Sequence, residues 1–380
     1  KLAAFLSKDP YTIFFDSNRP SHPDNNFSIL CFHPDYVFEI KDNVIKINGD
    51  ISDEKNFIDI LQQYFLNHQN KENLNLPFNG GLAGFFGYEF GCQQSGQTLK
   101  NIAGYKFPDA IFGLYNNYFI YDHRAEKFIG ECENIDLMPD AEITAKQYEM
   151  KWHYSRSDKD YINDVDILKE QIKAGEFYQV NLTRRLSAPK PENFDSFTHY
   201  NYVREINSAP FSAFANFDKF DLLCHSPERF LKLKDNVIST KPIKGTIPSS
   251  LPAATLQKNP KELAENTMIV DLLRNDLSKN CKSHSVKVDK LCAIETFENL
   301  HHLVSTISGE ISDSKTIFDI LKSCLPGGSI TGAPKRAAIN QIDMIEPVER
   351  GPYCGTLGYI DYNNNADFNI IIRSMIVTDD

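Results

Sequence analysis

Eight residues in the second half of the chain, Lys241-Pro242-Ile243-Lys244-Gly245-Thr246-Ile247-Pro248, restrict what the surrounding fold can be. They follow Asn236-Val237-Ile238-Ser239-Thr240, which reads as a strand, and a proline stands near each end. Pro242 has no N–H for a sheet ladder, and Pro248 confines the residue before it. Strand pairing is expected to fail here, with Gly245 open to positive φ or to close approach by another group. Upstream, Phe230-Leu231-Lys232-Leu233-Lys234 alternates apolar and charged residues, and Asp235-Asn236 suits a two-residue hairpin turn. A regular ladder about that turn sets Lys234 opposite Val237 and, carried on, Glu228 opposite Ile243 and beside Lys244. An amine and a carboxylate on stiff backbone at an opening strand end suit nucleophilic and acid–base work. A surface lysine–glutamate pair would leave the same pattern.

A chain of 380 residues allows one large or two ordinary domains with ample core. Hydrophobic residues at 41% and aromatic residues at 12% exclude a disordered chain. A formal net charge of -11 argues against nucleic acid and anionic membrane as partners, though not against a small anionic substrate in a local cationic pocket. The eight cysteines are scattered, with no CxxC and no zinc-type Cys/His spacing. That usage suits reduced thiols and a cytoplasmic location. No apolar run approaches the roughly 20 residues of a membrane helix, and no signal peptide is seen.

Up to about residue 130, short segments rich in Phe, Tyr and Ile alternate with turn clusters: Tyr11 to Phe15, Val37 to Ile40, Val44 to Ile47, Ile111 to Tyr121. Period-two patterning there predicts antiparallel sheet. One helix is expected from Asp53 to Tyr64, with Phe57, Ile60, Leu61 and Tyr64 on a stripe. The run Gly80 to Gly91 lacks a GxxxxGK[ST] pattern and a clear helix start, so it reads as closely packed strands. Residues 131–157 are polar and turn-prone, a plausible junction. Asp158 to Ala174 predicts a helix with Tyr161, Val165, Leu168 and Ile172 on one face and Gly175 as its stop. A strand from Glu176 to Arg184 follows, then a helix from Tyr200 to Asn207 and a strand from Ser212 to Phe217.

The next helix, Pro260 to about Leu277, places Glu265, Met268, Ile269, Leu272 and Asp276 on one broad face. A carboxylate heading an apolar stripe is costly to bury unless paired or bound to a cation. A solvated acid favoured by the helix dipole is the alternative. A helix from Thr316 to Lys322 leads into Leu325-Pro326-Gly327-Gly328-Ser329-Ile330-Thr331-Gly332-Ala333-Pro334-Lys335-Arg336, where Pro334 suits the start of a helix reaching Ile342. Glycines and hydroxyls before a helix N-terminus form an anion-binding arrangement. The spacing is not that of a phosphate loop, which leaves a carboxylate as the better guess. Cys354 to Asp361 and Phe368 to Val377 read as strands joined at Asn363-Asn364-Asn365. Arg373 interrupts an apolar run there, either paired, binding a carboxylate bidentately, or snorkelling at a sheet edge.

Taken together, these segments resemble the chorismate-utilising enzymes. The matching blocks are Phe177-Tyr178-Gln179-Val180-Asn181-Leu182-Thr183, Ser226-Pro227-Glu228-Arg229-Phe230, Lys241 to Thr246, Ala264 to Asp276, His301 to Thr306, Leu325 to Lys335, Cys354 to Ile360 and Ile372-Arg373-Ser374. They run in the family's order over roughly residues 155 to 380. The N-terminal part matches more loosely, through Phe14 to Ser17, His22-Pro23 and Phe27. Of these, Phe14 to Ser17 only loosely resembles the family's tryptophan-pocket segment.

The resemblance implies an α+β fold in which two large antiparallel sheets stack as a sandwich with helices outside, as in component I of anthranilate synthase. It also implies an N-terminal region over 1–150 and a chorismate-binding catalytic region over 151–380. Within the family, anthranilate synthases carry alanine where this chain has Lys244, and the water-using branches carry lysine where it has Gln179. The combination of Lys244 with Gln179 is most like component I of aminodeoxychorismate synthase. That branch is a transferase forming 4-amino-4-deoxychorismate, on the way to para-aminobenzoate and folate, from chorismate and ammonia supplied by a glutaminase subunit. The roles carried over are Lys244 as covalent nucleophile, Glu228 as general acid and His302 as an active-site histidine. Gln179, Thr246, Gly328, Ser329, Tyr353 and Arg373 fall at substrate-binding positions, and Glu265 at a Mg²⁺-ligand position. The family pattern continues past Asp380 with a Gly-Gly-Gly-Ile-Val segment and a Glu-rich helix, so the second metal carboxylate is expected beyond that residue. The alternatives are an anthranilate-forming component I and a non-catalytic paralogue.

Overall fold

The computed structural model describes residues 1–17, 26–69, 76–100, 107–129, 144–207, 209–296 and 300–379. His22-Pro23, Cys132 and most of the expected junction after 130 lie outside these residues. The glycine-rich segment shows why the molecule is layered. Gly81–Phe86 is a strand buried along its whole length. Leu82 and Phe86 enter one apolar cluster while Ala83 and Phe85 enter another. A strand apolar on both faces must lie between two layers. Burying a side chain such as Phe85 contributes about 2 kcal/mol. Gly84 is required by this packing, because a Cβ there would lie 2.1 Å from the Ile111 carbonyl oxygen of the next strand.

Among the described residues two large antiparallel sheets make the sandwich. One has seven strands in the order Ser374–Thr378, Phe220–Ser226, Phe211–Asn216, Ile13–Asp16, Phe27–Cys31, Tyr118–Asp122 and Lys127–Ile129. The other has twelve strands. Its centre places Arg229–Lys234, Ala366–Asn369, Thr356–Asp361, Gly81–Phe86 and Ala110–Tyr115 side by side. Both sheets draw strands from either side of residue 150. Ile13, Ile29, Ala213 and Leu222 of the first meet Phe85, Ile111 and Leu357 of the second in the interior. Helices Phe57–His68, Pro260–Ser278 and Ile317–Cys324 cover the outer face of the larger sheet through Phe65, Ile269 and Leu321. Helix Ser196–Ile206 covers the smaller one through Phe197 and Tyr200. Among the described residues no helix is long and apolar enough to cross a membrane. The described cysteines are free thiols.

Several elements differ from the sequence reading, each for a local reason. The first long helix starts at Phe57 rather than Asp53, because the Asn56 side chain accepts from the Asp59 N–H and caps it there. A short helix, Tyr88–Gln94, does follow the glycine-rich strand. Helix Asp158–Ala174 has the expected ends, with Ser157 as N-cap and Gly175 at φ +86°. Of its expected face only Leu168 is buried, together with Asp164, which pairs with Arg156 at 2.8 Å. The strand expected over 176–184 shrinks to Gln179–Val180, paired with Gly332–Ala333. Phe368 to Val377 is not one strand. The chain leaves the larger sheet at Asn369, crosses through Ile370 to Arg373, and joins the smaller sheet at Ser374. Arg373 takes φ +51° at that crossing.

Candidate active site

The hairpin about Asp235-Asn236 forms with the expected register from Lys234↔Val237 to Lys232↔Ser239. A bulge then shifts it, so Arg229 faces Lys241 and the ladder ends before Glu228. Glu228 therefore does not sit opposite Ile243. After Pro242 the chain does not stop pairing: it parts from Arg229–Lys234 but keeps Leu300–Glu310, already the partner of Val237–Lys241, so that Ile243–Pro248 runs antiparallel to the same strand with a register shift at Gly245. Gly245 has φ +74°, and a Cβ there would meet the Glu262 side chain at 3.0 Å. The bulge aims Lys244 away from the regular ladder and toward helix Pro260–Ser278.

Lys244 Nζ donates to the Ser329 carbonyl at 3.1 Å and lies 3.6 Å from Glu265 Oε1. Gln179 Nε2 donates to the same Glu265 oxygen at 2.9 Å. Glu228 is 6% exposed. Burial raises its carboxyl above the usual range, opposed by the charge of Lys244 and by a hydrogen bond from the Ser329 side chain. A buried carboxyl pushed up in this way is suited to delivering a proton near neutral pH. Five residues singled out from sequence, from five separate segments, thus meet around one amine: Gln179, Glu228, Lys244, Glu265 and Ser329. Gly328 is also buried, where a Cβ would meet Leu272 at 2.6 Å.

His302, Thr246 and Arg373 form an adjoining group. Thr246 Oγ1 and His302 Nδ1 are 2.8 Å apart. Burial, reinforced by the Arg373 guanidinium, lowers His302 to about 4, so the ring is neutral at physiological pH. Partial desolvation of its guanidinium lowers the Arg373 pKa, although the residue as a whole is exposed. A solvent-exposed guanidinium beside this group is a ready partner for a carboxylate. Tyr353, its hydroxyl pushed up mainly by burial, lines a cavity of about 570 Å³ with Arg373. Lys244, Glu228 and Glu265 are not among the walls of that cavity. Phe15, Asp16, Ser17 and Phe27 line a separate cavity of similar size. The Asp16 carboxylate is engaged by Arg204 and Tyr200.

Two groups have places in the structure that the sequence reading did not give them. Lys335, in the expected anion-binding loop, donates to Asp276 Oδ2 at 2.5 Å and to the Cys324 carbonyl at 3.0 Å. It serves as a tether to the helix carrying Glu265, and Asp276 is buried by that pairing. Glu346 and Arg350 escaped notice altogether, although both are buried. Their i, i+4 spacing was the available signal, but that spacing more often marks a surface pair.

Magnesium can be tested against the donors present. Glu265 offers a hard carboxylate oxygen at 29% side-chain exposure. Among the described residues no group of three His, Cys, Asp or Glu side chains is assembled for a metal ion. The donor chemistry fits an ion held by a single protein carboxylate with water and substrate oxygens, as magnesium accepts.

The sequence pattern of the chorismate binding enzyme family matches residues 10–380. Aminodeoxychorismate synthase component 1 of Klebsiella aerogenes is 32% identical, over 97% of this chain and 86% of its own length. Anthranilate synthase component 1 of Lactococcus lactis is 30% identical over the same shares. The crystal structure of anthranilate synthase component I from Streptococcus pneumoniae superimposes with a TM-score of 0.81 at 28% identity, covering 94% of this chain and 86% of that one.

Proposed function

Because this chain belongs to the chorismate binding enzymes, we propose that it is component I of an aminodeoxychorismate synthase, converting chorismate and ammonia to 4-amino-4-deoxychorismate. The observation that carries this reading is Lys244 Nζ, held between the Ser329 carbonyl and the Glu265 carboxylate. The anthranilate-forming branch has alanine at that position. Gln179 beside it is an amide, which cannot act as the base that a water-using branch needs.

The residues divide the reaction between them. Once it has given up its proton, the Lys244 amine attacks C2 of chorismate, both ring double bonds shift (C1=C2 to C1=C6, C5=C6 to C4=C5), and the C4–O bond breaks. Glu228 gives its proton to the departing hydroxyl, which leaves as water. Ammonia then attacks C4, both double bonds shift back, and the C2–N bond breaks to release Lys244 as its free amine. The Glu228 carboxylate takes the surplus proton from the new amine. Arg373 and Tyr353 hold the enolpyruvyl carboxylate, and neutral His302 contributes a polar contact without adding charge. Glu265 would hold magnesium, which supplies a counter-charge for the ring carboxylate. The "component 1" in the relatives' names supports a separate subunit as the ammonia source, here a glutaminase, and a cytoplasmic setting suits both substrates.

The test is chorismate consumption by purified protein with an ammonium salt and Mg²⁺. 4-Amino-4-deoxychorismate without pyruvate is the expected outcome. Anthranilate with pyruvate would refute the assignment and favour the reaction of the Lactococcus relative's branch.

A further inference from the structure

The described contacts tie the two walls beside Lys244 to one buried ion pair that touches none of the reacting groups. Arg350 is 5% exposed and Glu346 6%. Arg350 Nε and Nη2 donate to the two Glu346 carboxylate oxygens at 2.9 and 2.7 Å. The same guanidinium donates from Nη1 to the Ile330 carbonyl at 2.9 Å and from Nη2 to the Asn181 carbonyl at 2.6 Å. Its face lies over the Tyr88 ring, 4.4 Å from the centroid. Glu346 Oε1 in turn accepts from the Thr183 N–H at 2.8 Å and the Thr183 hydroxyl at 3.1 Å.

The sequence neighbours of these carbonyls give the pair its consequence. Ile330 follows Ser329, whose carbonyl takes the Lys244 ammonium. Asn181 lies two residues past Gln179, whose amide holds Glu265. The two walls also pair directly, Asn181 N–H to the Thr331 carbonyl at 2.8 Å and Tyr178 N–H to the Ala333 carbonyl at 2.7 Å. A planar guanidinium fixes the angle between its acceptors, which an ammonium cannot do. Buried ion pairs are near neutral for stability compared with apolar replacements, so geometry is the better account of this one.

We propose that Arg350, oriented by Glu346, is a positioning residue that sets the separation of segments 177–183 and 328–333 and thereby the placement of Lys244 and Glu265. This rests on the reading of Lys244 and its neighbours as the reacting centre. Arg350→Lys keeps the charge and loses the fork. We expect kcat for chorismate consumption to fall ~100-fold with KM within about threefold, as for a small misplacement of reacting groups. Hydrogen exchange should speed up in peptides covering 177–183 and 328–333 while the central strands keep their protection. Where Arg350→Lys yields no folded protein, Glu346→Gln carries the same two readouts. Unchanged exchange in those peptides, unchanged kcat, or a uniform loss of protection throughout the molecule would overturn the proposal. Wild-type protein that consumes no chorismate would overturn the ammonia-transfer reading instead, and the exchange measurement would still judge the positioning role.

Discussion

Replacing His302 with asparagine should remove a defined part of the protein's loss of stability in acid. The ring titrates at 6.5 when unperturbed and at about 4 in the folded protein, chiefly through burial and secondly through Arg373. A group whose folded pKa is depressed gives stability that is fully present above its unfolded pKa and is lost as pH falls toward the folded one. From the two proton-binding ratios, the loss is about 2 kcal/mol at about pH 5 and about 3 kcal/mol at about pH 4. Urea unfolding of wild type and His302→Asn, each at about pH 7.5 and pH 5, isolates this term. The hydrogen bond to Thr246 is lost at both pH values and cancels. Wild type should lose about 2 kcal/mol more than the variant between the two conditions. Parallel losses would refute the argument that burial keeps this ring neutral. Arg373→Gln should shrink the difference without abolishing it, since burial is the larger cause.

Lys244→Ala should lower ammonia transfer by ~1,000-fold or more, the scale seen when one member of a catalytic unit is removed; a product assay showing an unchanged rate would eliminate the covalent role, and a shift to anthranilate would make Lys244 the determinant of product. Gly84→Ala should destabilise by about 3 kcal/mol or prevent folding, since its Cβ would overlap the Ile111 carbonyl oxygen; a melting temperature within a few degrees of wild type would show that the sheet can shift there.

The sequence was most legible where local chemistry decides structure. Ser157 and Gly175 bound a helix that formed between them, and the Asp235-Asn236 turn set the register of its first pairs. It was least legible where pairing partners change. Nothing within Phe230–Thr240 announces the bulge that ends the ladder before Glu228, and nothing within Pro242–Pro248 shows that pairing with Leu300–Glu310 carries on past the proline. Likewise, Ile370-Ile371-Ile372 reads as more strand, yet Ile370 and Ile371 pack into different clusters as the chain passes between sheets. The site residues were found through blocks resembling a family, because proximity across five segments has no local pattern. Arg350 lay outside those blocks, and its burial depends on tertiary contacts alone.

The central strand Gly81–Phe86 has its two ladder partners at Ala110–Tyr115 and Thr356–Asp361. During synthesis, its near neighbour is available almost at once, while the other emerges only after most of the chain has been made. Until then an apolar strand suited to burial on both faces has one open edge. Pairings so distant along the chain also slow folding, since loop closure must precede the contacts that reward it. The nascent protein should therefore depend on chaperones that shield this edge, and a ribosome-stalled chain ending before residue 356 should bind them more strongly than one with the last strands exposed from the exit tunnel.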